Sequence, residues 1–158
     1  VADPERDLVK LVVLERHRGS GRTAVGFVRG LGLLSGALGT SVAHDAHNYI
    51  VAGTDDDSIL TTLKELIRLG GGLVLAEGNR VLETLPLPVG GLMTETPVAE
   101  TAEALARLEA AAAGLGLVGP HPCMALSFLS LSVIPALKLT DRGYVDICGE
   151  GLLKLFAD

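Results

Sequence analysis

Two of the chain's four histidines lie three positions apart in Ser41-Val42-Ala43-His44-Asp45-Ala46-His47-Asn48-Tyr49-Ile50-Val51. His44, Asp45, His47 and Asn48 thus fall within five positions, with apolar residues on both sides. An imidazole can take or give a proton near neutral pH, a neighbouring carboxylate can fix its tautomer, and an amide can satisfy backbone groups across a turn. Such a cluster between two strand-like runs is the expected place for binding or proton transfer, with the four side chains converging on one small polar site. His44 and His47 are metal-capable, but His-x-x-His on a non-helical segment supplies two ligands where zinc takes three or four. The sequence holds no second Cys/His cluster. No metal is therefore expected in this chain, and His44 and His47 are only weak candidates. The alternative is that the four groups satisfy backbone donors and acceptors at a strand crossing.

Other patterns carry less. Cys123 has His121 two residues before it, but a lone cysteine in an apolar segment reads as core rather than as a nucleophile. Gly30-Leu31-Gly32 is followed by Leu33, Leu34 and Ser35, with no βαβ unit, and so does not make a dinucleotide loop. Gly-x-Ser-x-Gly and paired catalytic carboxylates are absent.

The elements around the cluster follow from periodicity. Residues 8–16 read as a strand, 17–22 as a turn and 23–29 as its hairpin partner. Residues 35–43 and 48–52 read as the strands entering and leaving the cluster. Ile59, Leu60, Leu63, Leu66 and Ile67 recur at helical spacing in one stripe, with Thr54 or Asp55 as cap and Gly70-Gly71-Gly72 as stop. Residues 73–76 and 81–85 form a second hairpin, and 96–115 a second helix with Ala102, Leu105, Leu108, Ala112 and Leu115 on its apolar face. The apolar run 122–137 is expected to be buried. Residues 138–143 read as a turn and 144–147 as a last strand. The expected fold is α+β, a mixed, mostly antiparallel sheet of about six strands covered by two or three helices.

Composition narrows the partners. The chain has 158 residues, enough for one domain with a real core. It is 48% hydrophobic yet only 3% aromatic, with a mean hydropathy of +0.43. So apolar a chain must bury its surface efficiently or lend some of it to a partner. A formal charge of −6 disfavours nucleic acid. The longest apolar run is shorter than the ~20 residues of a membrane helix. Two cysteines and no signal-peptide pattern point to a cytoplasmic protein with reduced thiols. Val1 without a preceding Met is read as the start of a piece cut from a longer chain.

Several strings occur together in order: Val13-Leu14-Glu15-Arg16-His17, Gly26-Phe27-Val28, Val42-Ala43-His44-Asp45-Ala46-His47-Asn48, Leu69-Gly70-Gly71-Gly72-Leu73, Leu85-Pro86-Leu87-Pro88-Val89-Gly90-Gly91-Leu92-Met93, Leu126-Ser127-Phe128-Leu129 and Val133-Ile134-Pro135-Ala136-Leu137-Lys138-Leu139-Thr140-Asp141. In this the chain resembles the C-terminal domain of the bacterial and archaeal adenine deaminases of the amidohydrolase superfamily, most strongly over residues 8–146. The resemblance implies hydrolysis of adenine to hypoxanthine and ammonia. It places the catalysis in an upstream barrel that binds manganese or iron and generates a metal-bound hydroxide. No His-x-His ligand pair is present here, and 158 residues cannot hold a barrel of typically ~250. The chain departs from the family at Ala46, usually Ser, and at Cys123 and Ala125, where Phe and Thr are common. Residues 148–158 have no counterpart.

The resemblance makes residues 1–158 a single domain, with no cofactor of its own. It implies packing on the catalytic barrel, with the 44–48 loop helping to complete the active site, and a homo-oligomer. Whether the chain alone is an enzyme stays open. Two alternatives remain: a stand-alone purine-binding module and a purely structural or oligomerisation domain.

Overall fold

The strand-like runs assemble into a six-stranded sheet in the computed structural model, which describes residues 1–149 and 151–155. Its strands are β1 (Leu8–Leu14), β2 (Thr23–Arg29), β3 (Ala37–Thr40), β4 (Tyr49–Gly53), β5 (Gly72–Glu77) and β6 (Arg80–Pro86). The order is β2-β1-β4-β3-β5-β6, and every neighbouring pair is antiparallel. The α+β expectation holds, with this sheet antiparallel throughout.

Side chains alternate across the sheet, and both faces are covered. Val12, Val51 and Val74 join Ile59, Leu63 and Leu66 of α1 (Asp56–Leu69) in one core. Leu11, Leu38, Ile50 and Leu75 face the other way. They meet Leu108 and Ala112 of α2 (Val98–Gly114) and Cys123 and Leu126 of α3 (Pro122–Ser127). Burial on both faces explains why β3 and β4 are buried at every position. β2 lies at the edge, with Thr23 and Val25 exposed and Ala24 and Gly26 buried.

α1 begins where Asp55 accepts the Ser58 N–H at 2.8 Å and ends at Gly70, whose φ is 73°. Its apolar stripe is narrower than the spacing implies. Leu60 and Ile67 are 50% and 53% exposed, because α1 rests on β3, β4 and β5 and its flank overhangs β1. Ala102 is likewise exposed on α2.

Two expectations are corrected near the C-terminus. The run 122–137 is not buried throughout: Met124, Phe128, Val133, Ile134 and Leu137 are exposed. α3 buries one side only, and from Phe128 the chain crosses the surface. Residues 138–143 are not simply a turn. Leu-Lys-Leu-Thr forms β7 (Leu137–Thr140), which pairs with β8 (Gly143–Asp146), leaving Asp141 and Arg142 as the connection. β9 (Gly151–Leu153) completes a second, three-stranded sheet. Of the 148–158 segment, Glu150 and residues 156–158 lie outside the described residues. Among the described residues no helix is long and apolar enough to cross a membrane.

Candidate functional site

The 44–48 cluster sits in the connection from β3 to β4 at one end of the large sheet. The strand expected over 35–43 is shorter at both ends. Gly36 enters it with a φ of 75°. Ser41 leaves the ladder to donate from Oγ to the Gly91 carbonyl at 2.6 Å and to accept the Gly72 N–H at 2.7 Å. Residues 44–46 then turn. The His47 N–H donates to the Ala43 carbonyl at 2.6 Å, and the His44 N–H to the Ser127 carbonyl at 3.2 Å. His47 has a φ of 49°, unusual for a side chain of its size.

This geometry divides the four candidates into two pairs. The half-buried imidazoles of His44 and His47 meet edge to face, 5.6 Å between centroids, and His44 also lies 5.3 Å from the Phe128 ring. Asp45 and Asn48 instead line an open cavity of about 540 Å³ together with Ser130, Ser132, Asp141 and Arg142. Asn48 is buried, and its Oδ1 accepts the Arg16 N–H at 3.3 Å. Its Nδ2 lies 3.5 Å from Asp141 Oδ1, the outer limit of a hydrogen bond. Asp141 pairs with Arg22 at 2.9 Å. Asp45 is exposed and no hydrogen bond joins it to either imidazole among the described residues, so it does not fix a tautomer.

His47 is the chemically distinctive group. Its Nδ1 is buried with no hydrogen-bond partner. Burial lowers its pKa, as do the His44, Arg16 and His17 charges, while Asp45 opposes them. The ring is therefore neutral at pH 7 and able to accept a proton or a hydrogen bond. Among the described residues no three His, Cys, Asp or Glu side chains are placed to hold an ion, so His44 and His47 stand as two imidazoles without a third such ligand beside them.

Residues that the sequence reading passed over hold the loop in place. Arg16, just past the end of β1, donates to carbonyls of three different connections. Its neighbour Glu15 gathers the next turn, accepting the Arg18 N–H at 2.7 Å and the Ser20 hydroxyl at 2.8 Å. Slight burial pushes the Glu15 carboxyl up, but the donors from Ser20, Arg18 and His17 outweigh it and bring it down to about 2. That turn aims His17, whose Nε2 donates to the Ala46 carbonyl at 2.7 Å. Cys123 is core: burial, then Glu109, push its thiol up to about 12. His121 pairs with Glu109 at 3.0 Å instead.

Arg16, His17, the 44–48 loop, Gly70 and Gly90, each within one of the strings that carry the resemblance, thus meet at one end of the sheet. A family model described as "Adenine deaminase C-terminal domain" matches residues 1–149. The chain belongs to that family. An adenine deaminase of Oleidesulfovibrio alaskensis is 52% identical over 147 residues, covering 93% of this chain and 26% of the relative. One of Desulfatibacillum aliphaticivorans is 45% identical over 156 residues, 99% of this chain and 27% of the relative. One of Brucella abortus is 46% identical over 145 residues, 92% of this chain and 25% of the relative. The chain thus spans about a quarter of the length of the curated relatives it matches.

Proposed function

We propose that the domain serves as the C-terminal part of a cytoplasmic, homo-oligomeric deaminase that converts adenine and water to hypoxanthine and ammonia. The observation that carries this reading is the 52% identity to a protein named adenine deaminase, held over 93% of the chain. The manganese or iron of such an enzyme would be held by its barrel, since the residues here do not fit a metal. The domain's contribution is the 44–48 loop, facing the barrel mouth. His47, favoured in its neutral form by burial and by the nearby His44, Arg16 and His17, is suited to accept a proton or to hold the attacking water. Asp45 and Asn48 supply polar groups on the adjoining cavity wall. The exposed apolar residues Phe128, Val133 and Ile134 supply surface for packing on the partner.

The test is His47→Asn in the full-length protein. A general acid or base is worth roughly 10²–10⁴-fold in rate, so kcat/KM for adenine should fall on that scale while the melting temperature holds. An unchanged kcat/KM would give the loop a structural role only. Robust adenine turnover by this chain alone would overturn the reading of it as a dependent domain.

A further inference from the structure

The loop is held by a residue outside it. Arg16 Nε donates to the His47 carbonyl at 2.9 Å, Nη2 to the Gly90 carbonyl at 2.8 Å, and Nη1 lies 3.5 Å from the Gly70 carbonyl. The three acceptors belong to the β3–β4 connection, the C-cap of α1 and the connection from β6 to α2. The guanidinium also lies 5.7 Å from the Tyr49 ring centroid. Gly91 makes the room: a Cβ there would stand 2.3 Å from Nη1, and its φ is +74°. The guanidinium meets the three carbonyls from three separate nitrogens, a spread that the single nitrogen of a lysine does not reproduce.

What the clamp holds is costly by itself. His47 has a left-handed backbone and a buried ring nitrogen without a partner, and burying an unsatisfied polar atom opposes folding. Within the loop, His47 is held by its backbone bond to Ala43 and by the edge-to-face contact with His44. The side-chain grip on its carbonyl comes from Arg16.

We propose that Arg16 is a positioning residue: by tying the His47 carbonyl to those of Gly70 and Gly90, it keeps the His47 imidazole in its inward pose. Its consequence for catalysis rests on the deaminase reading above, but the positioning itself does not. The charged and titratable groups facing His47 are His44 and Asp45 of the same loop, with Arg16 and His17 beyond the end of β1.

Histidine titration by NMR on this chain tests it. In the wild type His47 should titrate below the ordinary imidazole value. Arg16→Lys keeps the charge and loses the fork. Gly91→Ala keeps Arg16 but drives its guanidinium from the cradle, and stands in if Arg16→Lys fails to fold. Either variant should move the His47 midpoint up towards the ordinary value and speed exchange of the 44–48 amides. Lower stability with an unmoved His47 midpoint in both would overturn the proposal. In the full-length protein the acid limb of the kcat/KM profile should move the same way. A His47 shift by NMR with an unmoved profile would uphold the positioning and overturn the catalytic reading of the loop.

Discussion

Tyr144 and Phe27, 117 positions apart, close on each other across the two sheets: the Tyr144 hydroxyl accepts the Phe27 N–H at 2.6 Å and donates to the Phe27 carbonyl at 2.7 Å. Phe27 lies on the edge strand β2, where backbone groups would otherwise be unpaired. Gly26 admits the approach, since a Cβ there would stand 2.6 Å from the hydroxyl.

Tyr144→Phe removes both bonds and keeps the ring. It should cost roughly 1–3 kcal/mol, from two modest hydrogen bonds and partly stranded partners. Gly26→Ala should destabilise by pushing the ring away. Denaturant melts of the two variants check this, and a wild-type midpoint for Tyr144→Phe would show that the small sheet is anchored elsewhere.

Asp55 carries a pH signature. Burial raises its carboxyl pKa, but the Ser58 N–H and hydroxyl and the Thr54 hydroxyl outweigh it, so the folded value is depressed. Its contribution is therefore complete above the ordinary carboxylate range and is lost as the pH falls through the folded value. Asp55→Ala should cost about 1 kcal/mol at neutral pH and progressively less in acid. The gap between wild-type and variant melting curves from pH 7 to pH 2 measures it; a gap independent of pH would count against this role.

The sequence reading succeeded where structure is local. β2 is bounded as expected at residues 23–29, because turn residues flank it on both sides. α1 begins at its expected cap, because Asp55 and Ser58 are neighbours in the chain. It missed β7, because Lys138-Leu139-Thr140-Asp141 reads as polar punctuation until β8 is there to pair with it. Within the site, the residue types at 44–48 were legible, but their division into two pairs was not. That division depends on Phe128 beside His44 and Asp141 near Asn48, both distant in the chain. Arg16 carried no signal as a ligand, since its acceptors are carbonyls at 47, 70 and 90 that only folding gathers.

The sheet order also bears on the path by which the domain forms. β3, β4, α1 and β5, which build the sheet's centre and one core, come from the single run 37–77. That run closes on itself from Ala37 to Ala76 and β1 joins it over a similar reach, Lys10 to Gly53, whereas Tyr144 meets Phe27 from 117 positions away. The large sheet should therefore assemble first and the three-stranded sheet should dock last. Ile50→Val and Leu75→Ala should slow refolding by much of their stability cost, whereas Tyr144→Phe should act almost wholly by hastening unfolding. Stopped-flow refolding and unfolding rates decide between this order and its reverse.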